Sequence, residues 1–186
     1  NLFGAGYGWR TSYNQRVYQW SLNSNYYVWE DGDGTKHYFY KVSTGTYKDE
    51  DGLELVLKTT GSGNSKYTIT DKNGNVSHFD TTGRLTQIVN NQATPSPVTI
   101  TYTNTSDYFI DTVTDAVGRR YVYTYTNGQL TKIEAQNSSQ QHLTQVTYGY
   151  TDSLLTSITD KDGEAVTYTY NSEKLLTEAQ DIACYR

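Results

Sequence analysis

The chain has 186 residues, a formal net charge of −5 and a pI near 5.1, enough length for one domain with a real core. An acidic balance without a clustered basic face argues against RNA or DNA binding, and no run approaches the roughly 18 apolar residues of a membrane-spanning helix. Tyr occurs 19 times and Thr 29 times, Gly 15 times, Pro twice and Met never, which predicts an all-β chain of many short strands joined by tight turns.

In chain order, "NLFGAGYGWR" has no basic-then-apolar signal-peptide pattern, and the missing initiator Met points to an excised segment of a longer protein. Residues 1–66 are expected to form a lead-in β-region. Trp9, Trp20, Trp29, Tyr26 and Tyr27 crowd into it. Exposed rings can stack on sugar faces, so these five are the candidate glycan contacts, although core packing is the commoner use of large rings in small β-domains. "EDGDG" (30–34) and "DEDG" (49–52) set carboxylates around glycines, as calcium sites do. Neither completes a twelve-residue calcium loop, and Asp-Gly is ordinary hairpin chemistry, so turns are expected, with no metal or cofactor.

His37, His78 and His142 lack metal-ligand spacing and are expected to be structural. No strand-turn-helix nucleophile elbow is present, and an enzyme is not expected. Cys184 stands alone, with no His nearby in sequence, and reads as an incidental thiol. "NNQATPSPVT" (90–99) reads as a loop between repeats.

From residue 67 onward the sequence repeats. Phe79, Tyr102, Tyr125, Tyr150 and Tyr170 end successive strands at intervals of 23, 23, 25 and 20 residues. Outgoing strands are "VTITYT" from Val98, "YVYTYT" from Tyr121, "VTYGYT" from Val146 and "VTYTYN" from Val166; period two puts Tyr121, Tyr123 and Tyr125 on one face. Returning strands such as "GRLTQIVN" and "GQLTKIEA" fit less well. Leu85 and Ile88, Leu130 and Ile133, and Leu155 and Ile158 are three apart, so either the Leu belongs to the turn or a bulge shifts the phase. "DKNG" (71–74), "DTTG" (80–83), "DAVG" (115–118) and "DKDG" (160–163) predict type I turns followed by a left-handed Gly, and "TNG" (126–128) a shorter Asn-Gly hairpin. Hairpins this small must bury their faces against neighbours.

"SHFDTTGRLTQI" (77–88), "TYTNGQLTKI" (124–133) and "YTYNSEKLLTEA" (168–179) resemble the YD-repeat, or Rhs (rearrangement hotspot), pattern. Phe79, Asp80, Gly83, Arg84 and Leu85 carry it most fully, with Tyr102, Tyr125, Gly128, Leu130, Tyr150, Leu155, Tyr170 and Leu175 as later signature positions. "GWRTSYNQRV", "YVWEDGDGTKHYF" and "YKDEDGLELVL" resemble the lead-in of large secreted, wall-associated bacterial proteins. The resemblance implies consecutive antiparallel β-hairpins in a strongly twisted, curved sheet (a partial shell or open barrel), with 67–186 as the repeat region. It also implies an extracellular location, and a structural role as part of a toxin-encapsulating or wall-associated shell. Expected partners are further YD repeats of the same parent chain, with cell-wall glycans as the alternative. Open sheet edges at both ends would favour self-association.

Overall fold

The computed structural model describes residues 2–94 and 96–181; Cys184 and Pro95 lie outside the described residues. Period-two alternation of Tyr, Thr and aliphatic residues makes strands almost everywhere. The lead-in supplies β1 (Arg16–Gln19), β2 (Tyr26–Glu30), β3 (Lys36–Ser43), β4 (Thr46–Asp49) and β5 (Val56–Lys58). After a 3₁₀ turn at Gly63–Ser65 come β6 (Tyr67–Thr70), β7 (Val76–Phe79), β8 (Leu85–Val89), β9 (Val98–Tyr102) and β10 (Ile110–Thr114). The chain continues with β11 (Arg120–Thr126), β12 (Gln129–Gln136), β13 (His142–Thr151), β14 (Leu154–Thr159), β15 (Ala165–Tyr170) and β16 (Leu176–Asp181). Each strand pairs antiparallel with the next, giving one open 16-stranded sheet. The protein is all-β, a succession of antiparallel hairpins. β5 and β6 pair through Leu57 and Ile69, so the lead-in and the repeats share this sheet.

Following register from strand to strand places Val17, Phe39, Tyr47, Leu57, Ile69, Phe79, Leu85, Ile100, Val113, Tyr123 and Leu130 on a single face. All of them are buried and form one hydrophobic cluster. This apolar face must be covered, and the chain covers it in two ways.

First, the sheet bends back on itself. The Val17 amide donates to the Gly83 carbonyl (2.8 Å), and Arg16 bridges Arg84, so the turn after β7 caps the free edge of β1. Only glycine fits that turn. Gly83 has φ +84°, and a Cβ there would lie 1.9 Å from the Val17 carbonyl oxygen. The expectation of open edges at both ends is therefore corrected at β1, where curvature brings a turn onto the edge. At the other end every residue of β16 is exposed.

Second, residues before β1 run as a strap over the inner face of the later hairpins. The Leu130 amide donates to the Gly4 carbonyl (2.8 Å), the Tyr7 amide to the Ser153 carbonyl (2.9 Å), and Trp9 Nε1 to the Tyr170 hydroxyl (2.9 Å). Phe3 and Ala5, on either side of the Gly4 anchor, are buried. Gly4 and Gly6 lie on the rings of Tyr125 and Tyr150, where a Cβ would come within 2.7 and 3.2 Å respectively.

The phase problem of the returning strands resolves as a bulge. In β12, Leu130 pairs with Tyr125 and Ile133 with Tyr123, while Thr124 faces Lys132, so Thr131 is the extra residue. The bulge returns Leu130 and Ile133 to the same face. Equivalent shifts follow Phe79, Tyr102, Tyr150 and Tyr170.

Candidate functional site

The joint between repeats is built from a turn, a bulge and a tyrosine. In the turns, an Asp or Asn carboxyl or amide oxygen accepts the backbone N–H groups two and four residues on. Asp71 takes those of Asn73 and Asn75, Asp80 those of Thr82 and Arg84, and Asp115 those of Val117 and Arg119. Asp160 and Asn171 repeat the arrangement, and so does Asn137, whose turn carries no glycine in sequence. The fourth residue is left-handed each time: Gly74, Gly83, Gly118 and Gly163, and also Gln140 (φ +63°) and Lys174 (φ +63°). At 126–129 the two-residue Asn127-Gly128 hairpin replaces it, with both residues at positive φ.

After the turn comes the bulged threonine. Thr86, Thr131 and Thr177 hydroxyls donate to the carbonyls of His78, Thr124 and Thr169 in the outgoing strand, supplying the bond that the bulge removes from the ladder. The Leu-Thr pair of the repeat is thus one residue for the core and one for the bulge.

The tyrosine ties one unit to the previous one. The hydroxyl of Tyr102 donates to the Leu85 carbonyl (2.7 Å), that of Tyr150 to Leu130 (2.8 Å), and that of Tyr170 to Leu155 (2.7 Å). Burial pushes the Tyr102, Tyr125 and Tyr150 phenols above their ordinary pKa. Phe79, fully buried, lacks the hydroxyl and begins the series.

Asp80 and Arg84 make the most complete joint. Both are buried, and the guanidinium contacts Asp80 Oδ2 at 2.7–2.8 Å. It also donates to the carbonyls of Asn104 and Asp107 and lies 4.3 Å over the Tyr102 ring. Burial alone would raise the Asp80 carboxyl, but hydrogen bonds from Thr82 and Arg84 hold it below the usual range. The same i,i+4 pairing recurs, exposed, at Asp115 and Arg119 (2.8 Å), but the turns that follow the signature tyrosines lack it. Leu155 takes the place of Leu85, packed opposite Tyr150. In the last hairpin Leu176, not Leu175, pairs with Tyr170; Leu175 occupies the Arg84 position and is 57% exposed. Two consecutive leucines made that alignment ambiguous by one residue.

Sequence reasoning missed the strap and its anchor. Glu30, 5% exposed, accepts from Arg16 at 2.7 and 2.9 Å and also from Arg10, joining the strap to β1 and β2. The alternating glycines of "GAGYG" were the available signal, since close approach to a flat ring requires residues without a Cβ.

The histidines and acidic clusters are engaged with one another or with the backbone. Asp31 Oδ1 accepts three turn amides, and Asp49 accepts those of Leu53 and Leu55. His37 sits between Asp31 (3.1 Å) and Asp51 (2.9 Å); burial lowers its pKa, but these carboxylates prevail and raise it. His78 meets Ser65 Oγ, and His142 lies 3.5 Å from Glu134. Among the described residues no group of three His, Cys, Asp or Glu is placed to hold a metal ion, and no helix is long and apolar enough to cross a membrane.

The five candidate glycan-contact aromatics divide by face. Trp29 donates to Gln15 Oε1 and tilts over His37, Tyr27 packs on Tyr47 and Tyr67, and Trp9 packs on Tyr168. These three serve the inner face. Trp20 and Tyr26 lie on the opposite face, where with Tyr38, Asn23 and Glu50 they line an open groove of about 470 Å³.

No protein-family model matches the chain, and no curated protein does. Among solved structures, 89% of the chain is similar to 10% of a chain in the crystal structure of TcdB2-TccC3-Cdc42, with a TM-score of 0.45 and 16% identity. The same share matches 10% of a chain in the Photorhabdus luminescens Tc holotoxin pore and of one in TcdB2-TccC3-TEV, each with a TM-score of 0.44 and 15% identity. The chain thus spans about a tenth of the length of the chains it matches.

Proposed function

We propose that the chain is a non-enzymatic structural module, the beginning of a YD-repeat wall in a larger secreted or cell-surface bacterial protein. The observation that carries this reading is the joint. Tyr102, Tyr150 and Tyr170 each reach the carbonyl of the leucine in the preceding unit, so these units are completed only by their neighbours. Such a device serves propagation of a sheet. Its consequence lies at β16, the last strand of the sheet among the described residues, whose residues are all exposed and where a following hairpin would add. Toxin encapsulation and wall association rest on the sequence resemblance.

Analytical ultracentrifugation tests the reading. The chain should associate reversibly with rising concentration, and Ala179→Lys, which sets a charge on the inner face of the edge strand, should abolish that association while the far-UV spectrum stays unchanged. A monomer at every concentration, or association untouched by the lysine, would argue against a propagating edge.

A second reading, glycan contact, is favoured by the outer groove of Trp20, Tyr26 and Tyr38 with the Glu50 carboxylate, which accepts from the Tyr26 hydroxyl (2.8 Å). Titration with soluble peptidoglycan fragments should change tryptophan fluorescence in the native chain and not in Trp20→Ala. An unchanged signal across a panel of glycans removes this reading and leaves the structural one intact.

A further inference from the structure

The inner face is filled at one end of the first curl and hollow at the other. Toward the Gly83 turn, Val17, Phe39, Phe79 and Leu85 close it to solvent. Toward the Asp31 and Asp71 turns the same face opens into a recess of about 670 Å³, within the ~300–1,000 Å³ typical of small-molecule pockets. Trp29, Leu55, Ile69 and Ile88 give it apolar walls drawn from four different strands or loops.

Three features define what fits. The walls suit a flat apolar body. Asn90 in the lining has its side-chain oxygen buried without a hydrogen-bond partner, among the described residues the one such side-chain atom, and an unmet buried acceptor calls for a donor. The rim carries Asp31 and Asp71, and Asp71 is held ionised below the usual carboxylate range by hydrogen bonds from Asn75 and neighbouring backbone amides. Among the residues lining the recess the basic one is His37, and both its ring nitrogens are engaged by Asp31 and Asp51. The lining thus offers an anion carboxylates and an engaged imidazole, whereas a cation or neutral donor meets complementary groups.

We propose that this recess is a binding site for a small aromatic amine of the arylalkylamine class, its ring between Trp29 and Ile88 and its ammonium donating to Asn90 Oδ1. Nothing in the structural role of the repeat joint requires this hollow. The wall is continuous without it, and the joint residues Asp80, Arg84 and Tyr102 lie at the filled end.

Isothermal titration of the full 186-residue chain with 2-phenylethylamine, and separately with phenylacetate, tests the site. The amine should bind saturably at one site and the isosteric acid about tenfold more weakly or not at all. Asn90→Leu removes the acceptor and should weaken the amine about tenfold, the equivalent of roughly 1.4 kcal/mol, without lowering the melting temperature of the free protein, because no existing bond is lost. Leu53→Arg, at the exposed lip, should weaken the amine while leaving the fold intact, and it keeps the test decisive if Asn90→Leu misfolds. Absence of saturable amine binding, equal binding of the acid, or amine binding that neither substitution alters would overturn the proposal.

Discussion

The hydroxyls of Tyr102, Tyr150 and Tyr170 at the ends of outgoing strands explain why these positions use Tyr where Phe would fill the same space. Tyr150 Oη donates to the Leu130 carbonyl at 2.8 Å, a carbonyl that the bulge at Thr131 leaves beside an interrupted ladder. A net hydrogen bond contributes about 0.5–1.5 kcal/mol, and orphaning a buried acceptor costs about 1–3 kcal/mol. Tyr150→Phe should therefore destabilise the chain by about 1–2 kcal/mol in urea denaturation at an unchanged m-value, and an undiminished midpoint would show that the hydroxyl contributes nothing. The tyrosines were legible from their period. Their hydrogen-bond partners were not, because a bond that spans 15 to 20 residues between units leaves no mark in local alternation. The Asp80–Arg84 pair was visible as a motif, but the reach of Arg84 to the carbonyls of Asn104 and Asp107 belongs to tertiary structure.

Among elements, the hairpins followed from composition and turn chemistry, and Asp at the first position predicted the turns at 71–74, 80–83, 115–118 and 160–163. The turn at 137–141 escaped because Gln140 takes the left-handed position usually marked by glycine. The bulge was visible only as a conflict: Leu and Ile three apart on a strand of period two. The strap is the element that sequence reading missed altogether, since "LFGAGYGW" has neither helical nor strand periodicity. Its conformation is fixed by what lies beneath it. Gly4 and Gly8 both have positive φ (+74° and +79°), but a Cβ on Gly4 would come within 2.7 Å of the Tyr125 ring, and one on Gly8 would meet nothing within 4 Å. Gly8→Ala should cost only the left-handed strain of about 1–2 kcal/mol. Gly4→Ala carries the same strain plus the ring contact and should be the more destabilising by about 1 kcal/mol or more. Equal losses in the two variants, measured by denaturant unfolding, would mean that the strap does not rest on the tyrosines.

On the scale of the whole molecule, one apolar face runs through the sheet, buried by the bend that brings β1 onto the Gly83 turn and by the strap over the later hairpins. A single continuous antiparallel sheet was implied by the repeat. Its asymmetry was not: β1 is capped by the Gly83 turn once the strands between them have curved, while among the described residues β16 is exposed throughout. Native-state hydrogen exchange by NMR reads this arrangement directly. The amides of Val17, Tyr7 and Leu130, whose acceptors are Gly83, Ser153 and Gly4, should be protected to the level of the central strands, and Gly83→Ala should release Val17 first. Val17 and Leu130 amides that exchange as freely as those of an unpaired edge would contradict both the closure of β1 and the seating of the strap.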